Sequence, residues 1–242
     1  MAQAWLRLFT VQASWNHDRL QGVGVAYASE PLLRDLPGGP DDARYREALA
    51  RAAQYFNAHP YLIGLAVGAI ARAEHEGVPP EQIERLKTAL PGPLGAVGDR
   101  LVWAGVLPAA SGVGLTCAAT LPWAVGPVVF LALYNLAHLV LRTWALASGW
   151  ITGMQVARAI SQPWLRRSLA SLAPLAALTV GFALPIMGQW LAESMSPLEQ
   201  AGVGGVAFAG LVLGRWIAPS VSGLKYGLAT VSVALLVGWL WR

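Results

Sequence analysis

Apolar and polar positions alternate in two different ways along this chain. From Asp41 to Asn57, the residues Tyr45, Ala48, Leu49, Ala52 and Phe56 recur at helical spacing, with Arg44, Glu47, Arg51 and Gln54 on the opposite stripe. That is the pattern of a helix lying along a surface with one face buried. Ile83, Leu86 and Leu90 repeat it after Pro79 and Pro80, opposite a Glu81/Arg85 pair at i,i+4, so a second short amphipathic helix is predicted from the prolines to Pro91. Ala4 to about Leu36 reads as helix with glycine interruptions, closed by Pro37, Gly38, Gly39 and Pro40. Asn57 to His59 should end one helix and Pro60 should open the next, whose apolar stretch Tyr61 to Ile70 is too short to cross a membrane.

Beyond Arg100 the alternation gives way to long apolar runs. The 41 residues between Arg100 and Arg142 contain no Asp, Glu, Lys or Arg, and the 25 from Ser168 to Ala192 contain none either. At about 20 residues per crossing, the first run suffices for two crossings or a re-entrant hairpin plus a crossing. Pro122, Gly126 and Pro127 fit a turn between its arms. Ser196, Pro197 and Glu199 have the order of an N-cap, a first helical residue and its capping-box carboxylate, predicting a helix to about Ile217, before Pro219. Tyr226 to Trp241 forms one more apolar segment. Pro91 to Arg100, rich in glycine and proline, is expected to break regular helix and to form a buried or re-entrant loop beside a cavity.

The resulting expectation is an all-α integral membrane protein. Residues 1–100 form interfacial amphipathic helices and a Gly/Pro loop, and residues 101–242 form a transmembrane helical region. Composition agrees: 55% of the 242 residues are hydrophobic and 12% charged, about half the charge of a soluble domain. Of the 30 charged side chains, 21 lie in Met1–Arg100. Met1 to Thr10 lacks a secretory-signal pattern, so insertion is expected to use internal spans. The net charge of +4 comes from scattered arginines without a basic cluster interleaved with aromatics, which argues against nucleic-acid binding. Arg142, Arg158, Arg166 and Arg167 gather between the uncharged runs and hint that this connection faces the cytoplasm. Cys117 is the one cysteine, so no intrachain disulfide is possible. No metal-spaced cluster, phosphate loop or hydrolytic triad order occurs, and no cofactor is implied.

Several polar residues stand out against this background. Gln12, Asn16 and Arg19 would share a helix face at i, i+4 and i+7 beside Trp15. Amides that both donate and accept, with an aromatic plane alongside, suit a neutral sugar ring; an interfacial tryptophan anchor with helix-capping residues would look the same. Asn57 and His59 lie at a helix break, where they could face a ligand or serve as a C-cap and a hydrogen-bonded bystander. Asp99 and Arg100 border the long uncharged run, so they should pair, line a polar pathway or snorkel to the interface. His138 stands alone near Asn135 and reads as a core or interface histidine.

Three blocks carry a family resemblance. Gln12-Ala-Ser-Trp-Asn-His-Asp-Arg-Leu-Gln-Gly-Val-Gly-Val-Ala-Tyr, ending at Tyr27, resembles the opening signature of the IID component of the mannose/fructose/sorbose family of the bacterial sugar phosphotransferase system. Tyr55-Phe56-Asn57-Ala58-His59-Pro60-Tyr61 is similar to that family's aromatic-Phe-Asn-x-His/Gln-Pro-aromatic block. Gly92-Pro93-Leu94-Gly95-Ala96-Val97-Gly98-Asp99 is similar to its Gly/Pro block, with Arg100 standing where a small residue or proline is usual. The resemblance implies a multi-pass subunit of the bacterial inner membrane that pairs with a IIC subunit, as a trimer of heterodimers. Between them a hexose would be bound, moved across the bilayer and phosphorylated on entry by soluble IIA and IIB proteins. This chain would then be no enzyme and would hold no phosphorylated residue. By carry-over, Trp15, Asn16 and Asn57, with Gln12 and His59, are sugar-contact candidates. Gly92, Pro93, Gly95, Gly98, Asp99 and Arg100 are structural or gating candidates. A IID-like scaffold or sensor subunit without transport is the alternative.

Overall fold

The computed structural model describes residues 1–193 and 195–217, as helices joined by turns. The apolar segment Tyr226 to Trp241 lies outside the described residues. The chain divides into two units between Ile186 and Met187.

The first unit is built around α4 (Ile63–His75), in which Ile63, Leu65, Ala66, Val67, Ala69 and Ile70 are all buried. A helix apolar on every side needs cover on every side. That cover comes chiefly from α2 (Gly22–Leu33) and the long α8 (Val125–Thr152), with α1 (Ala2–Arg7) packed against both of these. Gly64 and Gly68 of α4 face the backbone of Leu146, Gly149 and Trp150, while Gly149 faces the backbone of Leu65. Side chains at these positions would force the two helices apart.

Amphipathic α3 (Ala43–Ala52) starts at Asp42, whose carboxylate accepts from Arg44 N at 2.7 Å, and buries Tyr45, Ala48 and Ala52. Arg51, expected on the exposed stripe, is buried instead and donates to both oxygens of Glu74 on α4, at 2.9 and 2.8 Å.

The expected helix from Ala4 to Leu36 is interrupted. After α1 and a 3₁₀ turn over Leu8–Thr10, residues 11–21 form turns, and helix resumes only at Gly22. Asn16 explains the break, because its side chain bonds nearby backbone in a way that competes with helix. Another difference runs the opposite way. The Gly/Pro stretch is helical: α5 (Pro80–Ala89) is followed by α6 (Pro91–Gly98), a π-helical segment Asp99–Val106 and α7 (Leu107–Thr120). Pro91 and Pro93 fall in the first turn of α6, and Pro108 in that of α7, where a missing donor costs nothing. The residues Gly92 to Gly98 are therefore regular helix and not an irregular loop.

Among the described residues, three helical stretches are long and apolar enough to cross a membrane: Pro80–Thr120, Val125–Gln155 and Pro163–Trp190. Pro122 lies in the turn between α7 and α8, as expected, with Gly126 and Pro127 in the first turn of α8. Val128, Leu131, Leu136 and Val140 on α8, and Leu178 and Phe182 on α10 (Pro163–Ala192), are exposed, as residues facing lipid or another subunit must be. Arg158, in the short α9 (Ala157–Ile160), and Arg166 and Arg167 are exposed between the second and third stretches. Arg142 does not belong with them, for it lies inside α8 and is buried.

In the second unit, α11 (Pro197–Ile217) begins at the expected capping box. Ser196 N donates to Glu199 Oε2 at 2.7 Å and Glu199 N donates to Ser196 Oγ at 3.4 Å.

Candidate functional site

The first two sequence blocks meet through one residue. Leu20 exchanges backbone hydrogen bonds with Asn16 and pairs on its other side with Phe56. Its φ is 48°, a left-handed conformation that a branched apolar side chain rarely adopts. Gln21 N donates to Phe56 O at 2.9 Å, Phe56 N donates to Arg19 O at 3.3 Å, and Ala58 N donates to the buried Gln21 Oε1 at 2.8 Å. Residues 16–21 and 56–58 are thereby stitched together although some 35 positions separate them in the chain.

The second block meets the third at His59. Its side chain packs directly on Gly98, where an added Cβ would overlap His59 Cβ and the adjoining ring carbon Cγ. Tyr61 stands edge-on at 5.0 Å and Trp103 lies tilted at 5.4 Å, between ring centroids. His59 is 3% exposed. Its Nδ1 accepts from Tyr61 N at 3.3 Å, which places the ring proton on Nε2, and Nε2 has no partner among the described residues. Burial pushes this imidazole down to about 4, with Asp99 opposing the shift and Arg142 adding to it.

The individual candidates thus fall into different positions. Trp15 is 48% exposed, edge-on to His17, and Gln12 is exposed beside it in the turn. Gln12, Asn16 and Arg19 share no helix face, because the segment is not helical. The Asn16 carbonyl oxygen accepts from Asp18 N at 3.1 Å and Arg19 N at 2.9 Å, and its amide donates to Ser14 O. Asn57 is exposed, and its side chain has no hydrogen-bond partner among the described residues. Asp99 and Arg100 are both exposed and form no ion pair with each other or with another described residue. Both stand at the start of the π-helical segment, and of the roles the sequence offered, pairing is absent among the described residues. Gly92 and Gly95 face open space, unlike Gly98.

One stripe escaped the sequence reading. Phe130, Tyr134, His138 and Arg142 recur every fourth residue along α8 and so share one face. Tyr61 stacks on His138 at 4.2 Å with 7° between the planes, and its hydroxyl donates to Tyr134 Oη at 2.8 Å. Arg142 lies over the rings of both Phe9 and Tyr61. The fourfold spacing of polar and aromatic residues within an uncharged run was the available signal.

These features define a class: a helical membrane protein whose three separated blocks touch in turn, the first meeting the second through Leu20 and Phe56 and the second meeting the third through His59 and Gly98. A family model for the mannose/fructose/sorbose family IID component of the phosphotransferase system matches residues 1–188, and the chain belongs to that family. It is 28% identical over 184 residues to the mannose-specific EIID component of Escherichia coli K12, covering 73% of this chain and 64% of that protein. It is 32% identical over 163 residues to the sorbose-specific EIID component of Klebsiella pneumoniae (64% and 58%), and 32% over 148 residues to the fructose permease IID component of Bacillus subtilis (59% and 53%). The matches thus span less than two thirds of the length of these relatives. Among solved structures, a mannose transporter ManYZ complex with microcin E492 aligns with a TM-score of 0.59 at 21% identity, covering 99% of this chain and 94% of that one. A further membrane protein structure aligns with a TM-score of 0.71 at 21% identity, covering 96% and 93%. These likenesses establish the fold.

Proposed function

We propose that this chain is the IID-type membrane subunit of a mannose-family sugar permease in a bacterial cytoplasmic membrane. It pairs with a IIC subunit to bind and translocate a hexose that soluble IIA and IIB proteins phosphorylate on entry. The chain supplies binding and movement, and phosphate transfer belongs to its partners. The observation that carries this reading is the pairing of the first two blocks, which leaves an exposed indole at Trp15 and an uncommitted amide at Asn57 on segments joined through Leu20. An aromatic face and a free carboxamide are what a neutral pyranose requires. The exposed apolar residues of α8 and α10 support a second membrane subunit or lipid against those faces.

Within the site, Trp15 and Asn57 are the sugar contacts, with Gln12 at its edge. Asn16 shapes the Trp15 turn, His59 couples the second block to the third, and Gly98 with Asp99 and Arg100 sits where a gate would hinge. The test is sugar uptake by vesicles holding this chain with its IIC subunit and a complete phosphate chain. Trp15→Ala should raise the KM for sugar about tenfold, at roughly 1–3 kcal/mol for a lost stacking contact, with the amount of assembled complex unchanged. Failure of the unaltered complex to take up any hexose would sink the reading.

A further inference from the structure

Resting on that reading, we propose that Arg142 is a positioning residue for sugar binding: from inside α8 it holds the segments that carry Trp15 and Asn57. Arg142 is the only charged residue between Arg100 and Arg158 and is 4% exposed. No carboxylate among the described residues lies within ion-pair distance of it. A buried cation in an apolar helix is costly unless donors and rings compensate it, and such residues are kept where they serve a function.

What compensates Arg142 comes from the two site-bearing segments. Its Nη1 donates to the Leu8 carbonyl, in the last turn before residues 11–21. Its guanidinium lies 5.0 Å from the Phe9 ring centroid and 5.2 Å from that of Tyr61, two residues beyond His59. Nε donates to His138 Nε2, fixing the ring on which Tyr61 stacks. One side chain therefore grips the entry to the Trp15 turn and the exit from the Asn57 segment. Neither grip uses the Leu20–Phe56 pairing that joins the two segments directly. Without Arg142 those segments keep their mutual pairing but lose their anchor on the span.

The test is amide hydrogen exchange on the purified full-length chain, together with sugar uptake by the assembled complex. In Arg142→Met, loss of a charge-assisted hydrogen bond should speed exchange roughly tenfold or more in residues 11–21 and 55–61, with α4 unchanged. Uptake should show a raised KM at unchanged complex level, which a merely structural defect would not give, since fewer competent molecules lower the maximal rate instead. If Arg142→Met does not purify, Arg142→Gln carries the test, because its amide is too short to reach Leu8 O and it puts no cation over the rings. Unchanged exchange in the two segments overturns the proposal, as does faster exchange throughout α4, or locally faster exchange with unaltered KM. If the unaltered complex transports no sugar, the permease reading fails, and the exchange pattern still decides whether Arg142 holds these segments.

Discussion

Gly98 is the surface on which the His59 side chain rests, whereas a Cβ added at Gly92 or Gly95 would meet nothing within 4 Å among the described residues. Adding a methyl group at Gly98 would drive it into the imidazole, and overpacking of this kind costs about 1–3 kcal/mol. At Gly95 the same change meets open space and should stabilise α6 by up to about 1 kcal/mol through helix propensity. Thermal unfolding of Gly98→Ala and Gly95→Ala should therefore move in opposite directions. Equal melting temperatures would show that the contact with His59 does not organise the joint.

His59 also predicts an acid sensitivity of definite sign. Its folded value near 4 lies below the ordinary 6.5 because burial disfavours the charged ring. The unfolded chain then binds the proton more readily, so stability present above pH 6.5 is lost as the pH falls and the loss levels off below about 4. At about 1.4 kcal/mol per pH unit, the deficit reaches about 2 kcal/mol by pH 5. His59→Gln removes the titrating group while keeping an N–H donor. Its melting temperature should fall less between pH 7 and pH 5 than that of the unaltered protein, and parallel curves would refute the assignment. Glu30 acts lower on the scale. Burial would raise its value, but hydrogen bonds from Arg34, Arg7 and Tyr45 outweigh burial and hold it below the usual carboxylate range, so its contribution is lost at more acidic pH.

The buried carboxylate of the N-terminal half is Glu74, not Asp99. Its side chain is 3% exposed and receives two hydrogen bonds from Arg51. Removing one partner of a buried pair strands the other, at about 3–5 kcal/mol. Glu76, paired with Arg72 one turn away at the surface, is worth about 0–1 kcal/mol. Glu74→Ala should therefore prevent accumulation of folded protein or lower its melting temperature steeply, while Glu76→Ala and Asp99→Ala should stay near the unaltered value. A severe defect in Asp99→Ala alone would restore that carboxylate as the organising group.

Much of the helical frame was legible because it rests on local rules. The capping box at Ser196, the proline start of α5 and the turn at Pro122 are each decided within a few residues. The errors came where local rules compete with packing. Pro91, Pro93 and their glycines read as breakers, yet they fall in a first turn that tolerates proline. Residues 11–21 read as helix, yet the Asn16 side chain and the pairing of Leu20 with Phe56 hold them in turns. Contact between the three blocks was not legible, because backbone pairing over some 35 residues leaves no mark in periodicity. The stripe from Phe130 to Arg142 was missed because a single cation in an apolar run reads as a topological marker.

Asn16 and Asn57 look equivalent in sequence and should behave oppositely when truncated. The Asn16 oxygen accepts from two backbone amides, at 3.1 and 2.9 Å, and its amide donates to a third backbone group at 3.1 Å. Those bonds close the turn that presents Trp15 and hold Leu20 against Phe56. Asn16→Ala leaves backbone groups unpaired and should destabilise the protein by about 1–2 kcal/mol; any loss of sugar binding would follow from a disordered turn. Asn16→Asp keeps the acceptor and should recover most of the stability. Asn57 makes no side-chain hydrogen bond within the described chain, so Asn57→Ala should unfold at the unaltered temperature. Its cost should fall on the ligand instead, as a KM for sugar raised roughly tenfold by one lost hydrogen bond. Measuring melting temperature and uptake on the three variants separates the roles. A destabilised Asn57→Ala, or an Asn57→Ala with unchanged KM, would remove Asn57 from the sugar site and leave Trp15 without its amide partner.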